Sequence, residues 1–323
     1  MDSPEKMTHE GIQQVAVLGA GTMGSGIAFS FARNGLSVSL YDIDDSAVSK
    51  ARTDIRNMAE TLESESEISE EEVNQISSRI KYYTSLPETV RECDFVTEAV
   101  VEDIEIKQKV FKKITKQAPD EAILATNTSG LSITEIADSV ENPSRVVGTH
   151  WFNPPHIVPL VEVIHGDQTH ESIATTVHTF LDKINKTPVM VKEDIPGFIG
   201  NRIQMAMMYE AFSLLEQGVA DPAEIDRAVK AGFGFRLPSM GIFEKADQSG
   251  LDVHHDVESY LMSDLDRGTD PNPVVSRLVE NGDYGLKSGQ GVYDWENTTS
   301  QEVREERDKE LLAIRNVYKN MLD

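Results

Sequence analysis

The feature that most constrains this chain is a glycine-rich turn between an apolar strand and a helix near its N-terminus. The strand-forming segment QVAVL is followed directly by GAGTMG at positions 19–24, and helical residues then continue to about Asn34. In this setting the pattern GxGxxG is typical of a βαβ unit that binds a dinucleotide. The first glycine makes the tight turn, the second lets the backbone approach a pyrophosphate, and the third permits close helix–strand packing.

The dinucleotide is predicted to be NAD rather than NADP. Asp42 ends the second strand, 18 residues after Gly24. A carboxylate there accepts hydrogen bonds from the ribose hydroxyls of the adenosine half and repels a 2′-phosphate. The helix N-terminus adds amide donors and the positive end of a dipole. The predicted contacts in this region are Gly19, Gly21, Thr22, Met23, Gly24 and Asp42. FAD, which uses a similar fold, is the alternative.

The first half of the chain alternates short β-rich segments with helical ones, which is typical of a parallel sheet covered on both faces. The predicted strands are Val15–Leu18, Val38–Tyr41, Ile80–Tyr83, Phe95–Ala99, Ile123–Thr126, Arg145–Gly148, Leu160–Ile164 and Val189–Val191. We therefore predict an α/β fold of the Rossmann type, with a doubly wound and mainly parallel sheet. It forms an NAD-binding domain over residues 1–192.

A second, all-helical domain is predicted over residues 193–323. The segment EDIPGF, which carries Pro196 and Gly197, marks the boundary, and mainly helical patterns follow it. The predicted helices include Ala223–Ala231, Val253–Met262, Pro273–Glu280 and Gln301–Met321. Three methionines recur at helical spacing in the first helical segment, and we expect them to pack in a core or a subunit interface. They are Met205, Met207 and Met208.

Length and composition favour a soluble protein of two domains. A chain of 323 residues exceeds one ordinary core, and 39% apolar residues are enough to bury sizeable cores. Its single cysteine, Cys93, excludes a disulfide framework and a thiolate zinc site within the chain, and no metal site is predicted. Neither a signal peptide nor a membrane span is evident. We expect a cytoplasmic protein without a membrane partner.

The charge balance bears on partners and habitat. Fifty-five acidic residues against 30 basic ones give a net charge of −25, which repels a phosphate backbone and makes nucleic acid an unfavourable partner. Part of the excess lies in the acidic segment ETLESESEISEEE, residues 60–72, which we predict to be a solvated helix hairpin. Acidic excess along a folded chain is similar to that of proteins from organisms with molar salt in their cytoplasm, where screening removes the self-repulsion.

A histidine and a glutamate are the candidate catalytic pair. His150 comes just after the predicted strand Arg145–Gly148, at the carboxyl edge where open α/β sheets bind ligands. Histidine suits the removal of a hydroxyl proton as hydride leaves an alcohol carbon. Glu162 lies 12 residues further on, where an adjacent antiparallel strand would bring its carboxylate to the imidazole. Spacing alone leaves a purely structural histidine as the alternative.

Several longer segments carry a family resemblance. In chain order they are GAGTMG, EAVVEDIEIK, TNTSGLSI, GTHWFNPPHIVPLVEVI, DIPGFIGNR, AEIDRAVKAGFGFRLPSMGIFEKAD and GLKSGQGVYDW. Together they resemble the L-3-hydroxyacyl-CoA dehydrogenase family from about residue 12 to residue 296. The segment most diagnostic of the family is GTHWFNPPHIVPLVEVI, which contains the histidine, NPP and PLVEV. The next most diagnostic is DIPGFIGNR, with PGF and NR.

The resemblance implies a role for each matching residue. His150 would act as general acid and base, and Glu162 would orient it. Ser129 and Asn201 would hydrogen-bond the reacting oxygen of the substrate. Glu102, Lys107 and Asn127 match positions near the nicotinamide end of the cofactor. The structural alternatives are a turn residue for Ser129, a helix cap for Asn201 or Asn127, and solvated helix charges for Glu102 and Lys107.

The family reaction would interconvert an L-3-hydroxyacyl-CoA and a 3-oxoacyl-CoA with NAD as cofactor. The resemblance also implies a homodimer formed through the C-terminal domain.

Two departures from the family pattern keep a second hypothesis open. Members that act on CoA esters usually have basic residues in the helical region where this chain carries residues 60–72, although Lys50, Arg52 and Arg56 remain upstream. In addition, Ser239–Phe243 lacks a proline that the family often has. The alternative is an NAD-dependent dehydrogenase of a free 3-hydroxy acid, such as a sugar acid or carnitine. A non-catalytic, crystallin-like binding protein is the alternative from another class.

Overall fold

The computed structural model describes residues 11–322. The contacts between its Cα atoms divide the chain into two compact units. The division falls after Arg202. The predicted domain limits of 1–192 and 193–323 remain a prediction, and the two units are described separately below.

The first unit is built on one sheet. Its strands are β1 (Gln14–Leu18), β2 (Ser37–Tyr41), β3 (Ile80–Tyr83), β4 (Phe95–Glu98), β5 (Ile123–Thr126), β6 (Val146–Trp151), β7 (Leu160–Ile164) and β8 (Thr187–Val191). They lie in the order β3-β2-β1-β4-β5-β6-β7-β8, and every neighbouring pair is parallel except β6 and β7. The predicted Rossmann-type fold with its mainly parallel sheet is confirmed.

Helices connect these strands. They are α1 (Thr22–Arg33), α2 (Asp45–Ser64), α3 (Glu70–Arg79), α4 (Leu86–Val90), α5 (Ile104–Ile114), α6 (Ile133–Ala137) and α7 (Glu171–Lys183). The acidic segment lies at the end of α2, in the following turn and at the start of α3. Ser69 and Glu72 form a capping box there, with each side chain hydrogen-bonded to the backbone amide of the other.

Strand β6 is longer than predicted, which changes the place of His150. The sequence predicts that His150 comes after a strand ending at Gly148. Instead, β6 continues to Trp151 because antiparallel β7 pairs with residues 148–151, beyond the point where pairing with β5 ends. The prediction that the histidine follows the strand is therefore wrong, since His150 lies within it, one residue from its end.

A cluster of aromatic rings fixes α1 on the sheet. The Phe31 ring of α1 packs against Phe95 of β4, Trp151 of β6 and Phe180 of α7, with ring centroids 5.5–6.1 Å apart. All four side chains are buried. Removal of such a ring from a core costs about 3–5 kcal/mol. The cluster therefore holds the helix that begins at the glycine turn.

The second unit is helical but buries little of its own surface. Its helices, counting α8 that begins just before the division, are α8 (Gly200–Glu216), α9 (Pro222–Ala231), α10 (Phe233–Arg236), α11 (Ile242–Ser249), α12 (Leu251–Leu261), α13 (Pro273–Asn281) and α14 (Ser300–Leu322). Among its described residues, Leu312 is the one large apolar side chain that is buried. The three methionines of α8 are exposed by 37–57%, so they do not pack in a core of this chain. No helix within residues 11–322 is long and apolar enough to cross a membrane.

Candidate active site

The centre of the candidate site is a buried histidine–glutamate pair on adjacent strands. His150 of β6 and Glu162 of β7 are direct partners in the antiparallel register, so both side chains project from the same face of the sheet. His150 Nδ1 lies 2.7 Å from Glu162 Oε2, and both residues are at most 4% exposed. Since an ionised carboxylate only accepts hydrogen bonds, this contact places the imidazole proton on Nδ1.

The second oxygen of Glu162 binds the start of α8. Glu162 Oε1 accepts hydrogen bonds from the backbone amides of Ile199 (3.0 Å) and Gly200 (2.8 Å). These amides lie at the N-terminus of α8, the positive end of its dipole. Burial by itself raises the pKa of Glu162, but the hydrogen bonds from His150 and from these two amides outweigh it and lower that pKa below its ordinary value. Glu162 is therefore held as a carboxylate.

Two phenylalanines cover the imidazole. The ring centroids of Phe152 and Phe198 lie 4.5 Å and 5.7 Å from that of His150. Phe152 also fills the space beside Gly200, where an added Cβ would come within 2.5 Å of the ring. Among the described residues, none hydrogen-bonds the Nε2 atom of His150. The imidazole thus has one nitrogen that Glu162 fixes and one that has no hydrogen-bond partner among the described residues.

Ser129 and Asn201 lie together. The side-chain amide of Asn201 donates a hydrogen bond of 2.8 Å to the backbone carbonyl of Ser129. Nearby, Gly130 closely approaches Gly197, because a Cβ on Gly130 would lie 3.2 Å from the Gly197 nitrogen. The loop after β5 is thus joined to the segment that leads into α8.

The other three residues that the resemblance places near the cofactor form one polar network. Glu102 Oε1 accepts from the Thr128 hydroxyl (2.6 Å) and the Ser129 amide (2.7 Å). Asn127 Oδ1 accepts from the Trp151 amide at 3.0 Å, one residue from the histidine. Lys107 is completely buried, and its ammonium donates to Glu98 and to the Asn127 carbonyl.

Sequence reasoning missed Glu98. It ends β4 in the segment FVTE and is 0% exposed, and it accepts hydrogen bonds from Lys107, Thr126 and the Val100 amide. A carboxylate at the end of an apolar strand, with a lysine nine residues later, is the signal that was available. Burial raises the pKa of Glu98, while the Lys107 charge and these hydrogen bonds oppose the rise.

The glycine turn has the shape that a dinucleotide requires. Gly19 has a positive φ of 106°, and a Cβ there would lie 2.5 Å from the Ala99 carbonyl oxygen. At Gly24 a Cβ would lie 1.8 Å from the Gly19 oxygen, which explains the close helix–strand packing. By contrast, a Cβ on Gly21 would meet nothing within 4 Å, so open space lies beside the turn. Thr22 and Met23 begin α1 at this space.

Asp42 lies directly against the same turn. Its Oδ2 accepts the Ala20 amide at 2.8 Å, and its Oδ1 accepts the Asp44 amide at 3.1 Å. The carboxylate therefore stands at the carboxyl end of β2 beside the start of α1, where the adenosine ribose of a dinucleotide would lie. The open space at Gly21, the first amides of α1 and this carboxylate together fit NAD.

Two family models match most of the chain. Residues 14–195 match the NAD-binding domain of 3-hydroxyacyl-CoA dehydrogenase, and residues 197–295 match its C-terminal domain.

Curated relatives match along most of their length. The chain is 35% identical to 5-formyl-3-hydroxy-2-methylpyridine 4-carboxylate 5-dehydrogenase of Mesorhizobium japonicum, with 95% of this chain and 98% of that protein covered. It is 38% identical to a probable 3-hydroxybutyryl-CoA dehydrogenase of Bacillus subtilis, with 90% and 99% covered.

Solved structures show the same two kinds of relative. A crystal structure of the 5-formyl-3-hydroxy-2-methylpyridine 4-carboxylic acid dehydrogenase, described as an NAD+-dependent dismutase, has a TM-score of 0.89 at 33% identity and covers 95% of this chain and 99% of its own. The (S)-3-hydroxybutyryl-CoA dehydrogenase of Ralstonia eutropha has a TM-score of 0.74 at 35% identity, with 88% and 99% covered.

The pKa of Glu162 gives a test of this geometry through stability. Because its folded pKa lies below the ordinary value of about 4.3, its stabilising effect is present above that pH and is lost as the pH falls through the folded pKa. Glu162→Gln should therefore lower the free energy of unfolding at pH 7, by about 1.5–3 kcal/mol for a charged hydrogen-bonded group. The deficit should shrink as the pH falls toward 3.

Urea unfolding of both proteins across this pH range measures the effect. Glu141→Gln, at an exposed position, is the control and should match the wild type throughout. A deficit that stays constant or grows on acidification would contradict the lowered pKa of Glu162.

Proposed function

The chain belongs to the 3-hydroxyacyl-CoA dehydrogenase family, and from this membership we propose that it interconverts an L-3-hydroxyacyl-CoA and a 3-oxoacyl-CoA with NAD. The observation that carries the proposal is the His150–Glu162 pair, whose Nδ1 and Oε2 atoms lie 2.7 Å apart. Beside this pair lie Ser129 and Asn201, which are joined by a hydrogen bond. This set provides one proton-transfer group and polar contacts for a substrate oxygen.

His150 moves the proton. With Nδ1–H held by Glu162, the Nε2 lone pair accepts the proton of the substrate 3-hydroxyl: the O–H bond breaks and an Nε2–H bond forms. Glu162 stabilises the resulting imidazolium, because its own charge is held by the Ile199 and Gly200 amides. In the reverse direction the imidazolium returns the proton to the alkoxide. Such a group contributes roughly 10²–10⁴-fold to the rate.

Ser129 and Asn201 act on the substrate oxygen. The Ser129 side chain is exposed, and the contact between Asn201 and the Ser129 backbone holds the two residues together. Donors fixed in this way favour the charged oxygen of the transition state over the neutral alcohol or ketone.

The cofactor is held by the glycine turn and Asp42. When bound, NAD would accept the hydride that leaves C3, and NADH would donate a hydride to C3 in the reverse direction. Thr22 and Met23 begin α1 beside the open space at Gly21, and backbone amides at a helix N-terminus suit a pyrophosphate. Asp42 suits a ribose with a free 2′-hydroxyl.

A second candidate is an NAD-dependent dehydrogenase of a free acid. Two observations favour it. The higher TM-score, 0.89 against 0.74, belongs to a relative named for a pyridine carboxylate rather than for a CoA ester. In addition, the acidic turn between α2 and α3 would repel the phosphates of CoA wherever they approached it.

Substrate comparison separates the two. In buffer with molar salt, NADH oxidation is followed with acetoacetyl-CoA, acetoacetate, a 3-oxo sugar acid and dehydrocarnitine, and NAD reduction with 5-formyl-3-hydroxy-2-methylpyridine 4-carboxylate. We expect the CoA ester to give the highest kcat/KM, and NADPH to support little turnover. Turnover of a free acid alone would overturn the first candidate in favour of the second.

The same assay tests the role of the histidine. His150→Ala should lower kcat about 10²–10⁴-fold and leave the Kd for NADH within about twofold, since the imidazole serves the substrate. His255→Ala, whose side chain is 84% exposed, is the control and should keep full activity. Retained turnover in His150→Ala would remove the histidine from the mechanism.

We also propose a homodimer formed through the helical unit. This unit exposes apolar side chains on most of its helices, among them Phe235 (79%), Phe243 (85%) and Leu251 (62%). A unit with so little buried surface of its own requires a partner, and obligate dimers have apolar interfaces of this kind. A second copy of the chain brings an equivalent face.

Light scattering in molar salt measures the assembly. The mass should be twice the 35.8 kDa of one chain. Phe243→Asp should shift the protein toward the monomer because it places a charge on this face. A wild-type protein of monomeric mass at micromolar concentration would contradict the proposal.

A further inference from the structure

The chain between β8 and α8, segment 194–200, is attached to the rest of the first unit by a carboxylate at each end. At its far end the backbone amides of Ile199 and Gly200 bind Glu162. At its near end Asp194 makes the attachment with its own side chain. The proposed chemistry uses the first of these carboxylates but not the second.

Asp194 binds the loop that carries Ser129. This Ser129 loop, residues 127–132, follows β5 and leads into α6. The Oδ2 atom of Asp194 accepts the hydroxyl of Ser132 at 2.6 Å and the backbone amide of Thr134 at 2.9 Å. Hydrogen bonds to a carboxylate are stronger than those between neutral groups. The half-buried Asp194 therefore attaches the end of the Ser129 loop to a segment about 60 residues further along the chain.

Two other contacts join the same loop and segment. The side chain of Asn201 donates a hydrogen bond of 2.8 Å to the Ser129 carbonyl. The backbones of Gly130 and Gly197 also meet, since a Cβ on Gly130 would lie 3.2 Å from the Gly197 nitrogen. The loop and the segment thus touch at three places, and Asp194 provides the charged one.

Phe198 shows that the segment has to be held in place. This residue has a positive φ of 50° and is completely buried, and its ring centroid lies 5.7 Å from that of His150. A bulky residue in the left-handed region is uncommon and persists only where the surrounding structure holds it. Asp194 holds the chain on one side of this turn, and Glu162 holds it on the other.

Loss of the Asp194 carboxylate would free one end of the Ser129 loop. The start of the loop would stay in place, because Glu102 accepts the Ser129 amide at 2.7 Å. The loop and Asn201 could then shift relative to His150. A displacement of about 1 Å at a catalytic contact is enough to cost on the order of 100-fold in rate.

We infer that Asp194 is a positioning residue, which holds the Ser129 loop against the start of α8 and so keeps Ser129 and Asn201 in place beside His150. It acts through its two hydrogen-bond donors and not on the substrate. The inference rests on the proposed function for its catalytic meaning.

Two substitutions at this position separate geometry from charge. Asp194→Ala removes the acceptor, whereas Asp194→Asn keeps a side-chain oxygen that can accept both the hydroxyl and the amide. The matched control is Glu193→Ala, which removes an exposed carboxylate one residue earlier in the chain. Ser132→Ala is a milder second variant, because it removes one donor and leaves the bond between Asp194 and the Thr134 amide.

Turnover of acetoacetyl-CoA is measured well below the midpoint of thermal unfolding of each variant, where a residue that served stability alone would leave kcat unchanged. In Asp194→Ala kcat should fall about 10- to 100-fold, while KM and the Kd for NADH change less than about threefold. Asp194→Asn should keep kcat within about threefold of the wild type, and Glu193→Ala should match it. Ser132→Ala should lower kcat about three- to tenfold, and it should add less than about twofold to the loss in Asp194→Ala, because both act through one contact.

Hydrogen exchange followed by NMR measures the positions directly. The Ser129 and Gly200 amides each bind a glutamate and neither binds Asp194, so a change in their exchange reports movement rather than the loss of their own acceptor. Both should exchange about fivefold faster or more in Asp194→Ala. The His165 amide, which binds a backbone carbonyl at the end of β8, should stay unchanged. Glu193→Ala should match the wild type at all three amides.

The exchange measurement needs no substrate, so it is independent of the proposed function. If the wild type turns over none of the substrates while both amides exchange faster in Asp194→Ala, the proposed reaction fails and the positioning residue stands. Unchanged exchange of the Ser129 and Gly200 amides would overturn the inference. So would failure of Asp194→Asn to restore kcat, since turnover would then need the charge itself and not the place of the acceptor.

Discussion

The candidate site depends on one antiparallel register, in which His150 of β6 pairs with Glu162 of β7. The sheet is otherwise parallel, and two neighbouring parallel strands need a crossover connection of about a dozen residues or more between them. The single reversal brings residues only 12 positions apart into direct contact. It also extends β6 beyond the end of β5, so that the histidine stands at the ligand-binding edge of the sheet.

The carboxylate of Glu162 connects the paired strands to the start of α8. One oxygen fixes the imidazole, and the other accepts two amides from the start of α8. The Glu162 carboxylate therefore fixes both the tautomer of His150 and the position of the segment that carries Asn201. Lys107 of α5 also binds Glu98 at the end of β4 and the carbonyl of Asn127 just after β5. The arrangement consists of ionised groups whose partners are fixed by the fold, and this is how proteins keep charge in place where water is excluded.

Most of the fold could be predicted from the sequence because its signals are local. Apolar strands, the glycine turn and helix patterns lie within short windows, and each predicted strand has a counterpart in the sheet. Three features could not be predicted. The end of β6 depends on a neighbouring strand rather than on its own residues, so His150 was misplaced. The Glu98–Lys107 contact depends on how α5 packs against β4, so a carboxylate at the strand end and a lysine nine residues later draw attention to the two residues but do not show that they touch. The exposure of Met205 likewise became visible only in the folded chain.

In the proposed mechanism, Glu162 holds the proton of His150 on Nδ1 and Nε2 acts as the base. The most direct test is the nitrogen NMR spectrum of the histidine side chains at about pH 8, where a free imidazole is neutral, with the His150 signals assigned by their loss in His150→Ala. We expect a protonated Nδ1 and an unprotonated Nε2. A proton on Nε2, with Nδ1 bare, would contradict the account, because the nitrogen facing the substrate would then have no lone pair to accept a proton.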